Sequence, residues 1–274
     1  MGRIVGGFAT SHVLFSRAGH EAQADAVFEG MTRIGQEIEA LAPDLVVIVS
    51  NDHMINFNTL LQAPFVVGIG MSHTPFGDLG IPADYAIPGH SEFAQGLVDH
   101  ANAHDFDLGV IREVRPDHGV AIPSLFASPR GKRPVVPLYT NVDMRPVTPA
   151  RRAYRLGEVL ADYVKNVRPA GERVVVLGAG GLSHWIGVPR QGDVNEAFDR
   201  WLLDRFEAGD VGALTGLTID EIEAESGNGG VELVNWLVMY GALHGARART
   251  IYYEPMTAWW TGMGGIAVDV PAGA

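Results

Sequence analysis

Apolar runs that alternate with amphipathic segments give this chain the pattern of an α/β protein. Residues 45–49 are apolar at every position, which is typical of a strand buried on both faces of a sheet. In segment 21–41, apolar residues recur every three to four positions between charged ones and predict a helix. A shorter apolar run at 4–8 precedes that helix. The order strand, helix, strand predicts a right-handed crossover between two parallel strands.

The same pattern continues through the rest of the chain. It predicts strands at 64–70, 108–114, 135–140, 173–177 and 250–253, helices at 91–103, 149–167 and 194–207, and a last apolar run that reaches Val270. A strongly apolar helix that ends at Leu243 is expected to be capped by Asn228, with Glu232 in its first turn. Segment 72–89 is rich in proline and glycine and has the character of a lid or binding loop. The expected fold is one α/β domain over residues 1–274, with a largely parallel or mixed central sheet and helices on both faces.

Four histidines follow predicted strands: His12, His53, His118 and His184. In α/β sheets, ligands bind beyond the carboxyl ends of the strands, where these side chains are expected. One such histidine is more often a hydrogen-bonded loop residue, but four of them favour a site. Most of the other six histidines are expected to be solvated surface residues: His20, His73, His90, His100, His104 and His244. His73 and His90 are set apart, because they lie in or next to the predicted lid region.

Composition limits the kind of partner. With 274 residues, 47% apolar content and a net charge of −12, the chain can bury a large core but offers no broad basic face for nucleic acid or an anionic membrane. The absence of cysteine excludes disulfides, iron–sulfur clusters and thiolate zinc sites, and leaves His, Asp and Glu as strong metal ligands. No secretory leader or membrane span is recognised, so we expect a soluble, cytoplasmic protein.

The glycine-rich segment 178–184 does not match a nucleotide or hydrolase motif. Ser183 stands where the third glycine of a dinucleotide-binding motif is required, and Trp185 replaces the last glycine of a nucleophile elbow. No Walker lysine motif is present. We therefore interpret these glycines as a tight turn that lets His184 face a cavity.

Two other pairs of residues have alternative interpretations. Asp52 and Asp117 each precede a candidate histidine, and either could orient it or could cap a helix or turn. Trp259 and Trp260 could line an aromatic pocket, although large aromatic residues more often belong to a core.

Five motifs together carry a resemblance to a known family. They are Thr10-Ser11-His12, Asn51-Asp52-His53, Asp117-His118-Gly119, Gly180-Gly181-Leu182-Ser183-His184, and the run from Glu225 to Leu237. In this order the chain resembles the class III extradiol ring-cleaving dioxygenases, the family of the protocatechuate 4,5-dioxygenase β subunit and of 2,3-dihydroxyphenylpropionate dioxygenase. The Glu232 helix is closest to the protocatechuate type, whereas residues 252–262 are closer to the phenylpropionate type.

The resemblance implies a role for each motif residue. His12, His53 and Glu232 would bind Fe(II), His184 would be the acid/base residue, and His118 would contact the substrate and assist proton transfer. It also implies a homo-oligomer and, for the protocatechuate type, a small second subunit that acts as a lid unless residues 72–89 do so.

The chemistry of these residue types agrees with the resemblance. Two imidazoles and one carboxylate on one face of Fe(II) leave positions open for O₂ and a small aromatic substrate such as a catechol, gallate or aminophenol. Cleavage beside the two hydroxyls would give a muconic semialdehyde-type product. Two alternatives remain open: a zinc hydrolase that uses the same His/His/Glu set, and a metal-free binding protein on this fold.

Overall fold

The apolar runs of the sequence form the strands of one eight-stranded sheet in the computed structural model, which describes residues 1–270. Two short strands, Ser72–His73 and Ile87–Pro88, form a separate two-stranded ribbon. The strands are β1 (Arg3–Thr10), β2 (Leu45–Ser50), β3 (Phe65–Gly68), β4 (Ser72–His73), β5 (Ile87–Pro88), β6 (Gly109–Ile111), β7 (Val135–Thr140), β8 (Arg173–Ala179), β9 (Ala248–Met256) and β10 (Thr261–Val268).

The strand order in the large sheet is β6-β3-β7-β2-β8-β1-β10-β9. The four central strands β7, β2, β8 and β1 are parallel, whereas β3 and β10 pair antiparallel with their central neighbours. The predicted parallel relation of β1 and β2 is confirmed, with β8 between them. Since parallel strands end at the same edge, the loops that carry His12, His53 and His184 leave the sheet together.

Helices cover both faces of this sheet, so the predicted fold class is confirmed. They are α1 (Glu21–Ala40), α2 (Ser91–Asn102), α3 (His118–Ala127), α4 (Ala150–Asn166), α5 (Glu196–Ala208), α6 (Val211–Gly216), α7 (Ile219–Gly230) and α8 (Leu233–Ala242). Helices α1 and α3 pack on one face, and α2, α4 and α8 on the other. Strand β2 supplies both cores, because Val46 and Ile48 point to one face and Val47 and Val49 to the other.

Helix α4 packs closely against the C-terminal half of α8, the helix whose N-cap residue is Glu232. A Cβ on Gly157 would meet the backbone oxygen of Val238 at 2.0 Å, and a Cβ on Gly241 would meet that of Tyr154 at 1.9 Å. Only glycine permits this approach of the two helix backbones. Every residue of α8 is buried, so the helix is held on all sides.

Two details differ from the prediction. Asn228 does not cap α8: it lies inside α7, its amide bonds the backbone of Ile186, and the N-cap position of α8 belongs to Glu232. Strand β6 is parallel to β3 and therefore runs against the central strands, so His118 does not reach their edge directly from a strand end. Segment 112–117 connects β6 to α3 and makes His118 the first residue of that helix.

The described residues, 1–270, include no helix that is both long enough and apolar enough to cross a bilayer.

Candidate metal centre

Three side chains from distant parts of the chain meet at the carboxyl edge of the central strands. His12 follows β1, His53 follows β2, and Glu232 stands at the start of α8. One oxygen of Glu232, Oε1, lies 3.2 Å from Nε2 of His53 and 3.5 Å from Nε2 of His12. Glu232 and His12 are each only 3% exposed. The structure thus brings together the three residues for which the sequence suggested a shared metal ion.

The two distances from Glu232 to the imidazoles fit ligands that share one ion. Two ligand atoms about 2.1 Å from a metal and about 90–110° apart lie about 3.0–3.4 Å from each other. The two distances from Glu232 Oε1 match this range to within about 0.1 Å. One feature departs from the usual arrangement, in which a ligating imidazole donates its second nitrogen to the protein. Nδ1 of His12 is buried and has no hydrogen-bond partner among residues 1–270.

A second set of candidate ligands consists of three histidines. His12, His53 and His118 each offer a nitrogen within 4.8 Å of the others. The rings of His53 and His118 are stacked, with centroids 4.0 Å apart and an interplanar angle of 30°. Because an imidazole lone pair lies in the ring plane, stacked rings direct their lone pairs side by side rather than at one point. The ring of His12 is nearly perpendicular to both of the others, at 83° to His53 and 86° to His118, so only His53 and His118 are stacked. This geometry favours Glu232 over His118 as the third ligand.

The electrostatics of the site favour a cation between the two imidazoles and the carboxylate. Burial opposes ionisation of Glu232, but the charge of His12 and hydrogen bonds with His12 and His53 hold its pKa well below the usual value. Burial lowers the pKa of His12. Burial also opposes protonation of His53, yet its hydrogen bonds to Asp117 and Glu232 raise its pKa well above the usual value. A metal ion would supply the positive charge that a proton on His53 otherwise provides.

Asp117 orients His53 through two hydrogen bonds. Its Oδ2 accepts hydrogen bonds from the backbone N–H of His53 at 2.6 Å and from Nδ1 of the same residue at 3.1 Å. Its Oδ1 caps α3 through the N–H of Gly119 at 2.9 Å. Asp117 therefore both caps α3 and orients a histidine, but that histidine is His53 and not His118, which it precedes. Nε2 of His53 faces Glu232.

Asp52 has a different role from Asp117. Its carboxylate accepts hydrogen bonds from the backbone N–H groups of Asn56 and Phe57 and from the side chain of Asn56. It closes a turn, and no hydrogen bond joins its side chain to a histidine of the described region. The sequence could not separate the two aspartates, because each directly precedes a candidate histidine.

The hydrogen bonds of Glu232 and His184 fix how these two residues face each other. The backbone N–H of Gly181 donates to Oε2 of Glu232 at 2.7 Å, and the same oxygen lies 3.8 Å from Nε2 of His184. Nδ1 of His184 lies 2.9 Å from the carbonyl of Leu182. With Nδ1–H donating to that carbonyl, Nε2 is the ring nitrogen that can accept a proton. The glycine-rich turn thus presents a proton acceptor beside the candidate metal position.

A cavity of about 360 Å³ opens on this group, and His53, His184 and Glu232 form part of its lining. Its wall includes Asp143, which the sequence analysis missed. The amide of Asn51 donates to Asp143 at 3.3 Å and lies 3.2 Å from Nε2 of His53. Desolvation of the Asp143 carboxyl raises its pKa to about 6. No sequence signal points to Asp143, which lies in an irregular segment after β7.

His118 is not among the described residues that line the cavity. Its Nδ1 pairs with Oδ2 of Asp78, and its ring centroid is 5.2 Å from that of His12. Asp78 belongs to segment 72–89, so this predicted lid region does reach the site, although it forms the β4–β5 ribbon and a short 3-10 helix. Asp78 was also missed, because no local motif marks it.

The remaining candidates lie away from the site. His20, His104 and His244 are exposed, whereas His73 is buried, and His90 caps α2 through the N–H of Phe93. His100 pairs with Asp162 at 2.9 Å.

Trp259 is buried in the core and Trp260 is 48% exposed. Neither tryptophan is among the described residues that line the cavity, which agrees with the core interpretation of Trp259.

Comparison with known proteins adds independent information. Residues 7–264 match the family model described as the catalytic LigB subunit of aromatic ring-opening dioxygenase. Two similar curated proteins are named 2,3-dihydroxyphenylpropionate/2,3-dihydroxicinnamic acid 1,2-dioxygenase. The one from Burkholderia vietnamiensis is 30% identical, over 87% of this chain and 89% of the relative. The one from Rhodococcus rhodochrous is 28% identical, over 84% of this chain and 85% of the relative.

A solved structure shares the fold. The crystal structure of an uncharacterized protein from Escherichia coli K12 superimposes with a TM-score of 0.60 and 17% sequence identity. The superposition covers 97% of this chain and 100% of the chain from Escherichia coli.

Proposed function

Because the chain belongs to the family of the catalytic LigB subunit of aromatic ring-opening dioxygenases, we propose that it cleaves a catecholic ring beside its two hydroxyls. Fe(II) would be held by His12, His53 and Glu232. The observation that carries this proposal is the convergence of both Nε2 atoms on Oε1 of Glu232, at 3.5 and 3.2 Å. When bound, Fe(II) would bring a catechol and O₂ together and pass electron density between them.

The residues around the metal position supply the proton transfers. Nε2 of His184 can take the proton from a substrate hydroxyl, because its Nδ1 is engaged with the carbonyl of Leu182. The same nitrogen can return the proton later in the reaction. His118, whose ring stacks on that of His53, would assist proton transfer, with Asp78 fixing the orientation of the His118 ring.

The cavity provides room for the aromatic ring. Its volume of about 360 Å³ lies in the range of small-molecule sites, and its lining combines apolar side chains with the candidate acid/base residue. The expected product is a muconic semialdehyde-type compound that contains both atoms of O₂. A homo-oligomer, a small partner subunit and a cytoplasmic location stay predictions.

The test is anaerobic reconstitution of the purified protein with Fe(II), followed by oxygen-electrode measurements with catechol, gallate and aminophenol substrates. We expect oxygen uptake and a yellow product. A zinc hydrolase would hold stoichiometric zinc and consume no oxygen with any of these compounds, and a binding protein would bind them without turnover. Either result would refute the proposal.

Two variants separate the proposed roles. His184→Phe should keep Fe(II) and substrate binding but lose turnover, since it removes only the proton acceptor. Glu232→Ala should lose Fe(II), because it removes a ligand atom and the buried charge that balances the ion. The assignment of roles is wrong if the first variant loses its metal or the second keeps it.

A further inference from the structure

The charges of the cavity wall carry information about the substrate. Building on the proposed function, we propose that the enzyme selects catechols whose ring substituent is uncharged, and that it discriminates against those with a carboxylate side chain. The curated relatives are named for 2,3-dihydroxyphenylpropionate, which carries such a side chain. The proposed preference therefore distinguishes this chain from those relatives.

One part of the wall is apolar and suits an aromatic ring with a hydrocarbon substituent. Five apolar side chains line it: Met54, Val142, Val147, Ile186 and Val231. Burying apolar surface against such a wall is favourable, whereas a carboxylate requires a cation or several donors to leave water.

The charged part of the wall is predominantly acidic. Asp143, Glu223 and Glu232 line the cavity, and Arg145 is the one lysine or arginine among the described lining residues. Three carboxylates therefore face one guanidinium. Glu232 is assigned to the metal ion, which leaves two carboxylates beside the space that a ring substituent would occupy.

Arg145 is already paired with two acids of α7. Its Nη2 lies 2.8 Å from Oδ1 of Asp220 and 2.6 Å from Oε2 of Glu223. A substrate carboxylate that used Arg145 would compete with both of these carboxylates and would share the cavity with Asp143. Like charges placed together across a binding surface disfavour the complex, so an anionic substituent should bind less well than a neutral one of the same shape.

The experiment compares two substrates of nearly equal shape, 2,3-dihydroxyphenylpropionate and its amide, with the Fe(II)-loaded full chain at pH 7.5. We expect kcat/KM for the amide to exceed that for the carboxylate by at least about 10-fold. Equal values, or a preference for the carboxylate, would overturn the inference. No oxygen uptake with either compound would instead refute the proposed function.

Removal of the acidic charges tests the cause of the preference. In Asp143→Asn and in Glu223→Gln, the ratio of the two kcat/KM values should fall at least about 3-fold, because a like charge is lost beside the substituent. The ratio is measured within one variant, so a general loss of activity cancels. Glu225→Gln removes a charge of α7 that is not among the cavity-lining residues, and its ratio should equal that of the wild type. Unchanged ratios in both wall variants would contradict the proposal.

Discussion

The two aspartates that precede candidate histidines allow a sharp test of how the metal centre is supported. Replacing Asp117 by Asn should weaken Fe(II) binding, whereas replacing Asp52 by Asn should not. Asp117 Oδ2 holds both the backbone N–H and Nδ1 of His53. Asp52 holds only the turn at Asn56 and Phe57.

The expected losses of Fe(II) affinity and of folding stability in Asp117→Asn follow from the hydrogen bonds that this substitution removes. An asparagine at 117 can keep its oxygen on the N–H of Gly119, but its NH₂ group then faces two donors of His53. Loss of a carboxylate that orients a ligating histidine typically lowers metal affinity about 10–100-fold. This corresponds to about 1.4–2.7 kcal/mol of binding free energy. Each lost bond to the charged carboxylate also costs about 1.5–3 kcal/mol of folding stability.

Asp52→Asn is a matched control for the cost in stability. It changes the same functional group one residue before His53 and also disrupts several hydrogen bonds of a mostly buried carboxylate. We expect both variants to unfold at lower urea concentration than the wild type, but only Asp117→Asn to lose metal affinity.

The assay is an anaerobic competition for Fe(II) between each variant and a colorimetric chelator, combined with urea unfolding. Two results would refute the reasoning. One is wild-type Fe(II) affinity in Asp117→Asn. The other is an equal loss of affinity in Asp52→Asn, which would show that general destabilisation causes the effect.

Two further predictions concern His184 and Asp199, a buried carboxylate that accepts hydrogen bonds from Ser183. Gly229→Ala would place a Cβ 2.0 Å from Nε2 of His184, so kcat should fall at least about 10-fold with Fe(II) content unchanged. Gly216→Ala, whose Cβ meets nothing within 4 Å, should leave kcat unchanged in the same oxygen-electrode assay. Burial raises the pKa of Asp199 from 3.8 to about 6, despite hydrogen bonds from Ser183 and Tyr253. The folded state then binds the proton more tightly, so stability should fall by up to about 3 kcal/mol as pH rises through this range. Urea unfolding of Asp199→Asn should lack this pH dependence, and an identical pH profile in both proteins would contradict the assignment.

The sequence alone determined much of the fold, because its strongest signals are local. The continuous apolar run at 45–49 required a strand covered on both faces, and β2 is such a strand. The strand predicted at 135–140 is also present with the same bounds. The order strand, helix, strand over residues 4–50 and the right-handed crossover rule were enough to place His12 and His53 at the same edge of the sheet. Glu232 and the roles of the histidines came from the resemblance to a family. The family match confirms that resemblance, whereas the residue roles stay predictions.

The tertiary structure decided how the site residues meet and what supports them. His53 contacts Asp117 across 64 positions and Glu232 across 179, and no local pattern encodes contacts over such separations. The direction of β6, and therefore the route of His118 to the site, depended on pairing with β3 rather than on the apolar run itself. The acidic cavity wall likewise brings together Asp143, Arg145 and Glu223 from segments that carry no motif. Periodicity specifies which face of an element is buried, but only the packed chain specifies which side chains become neighbours.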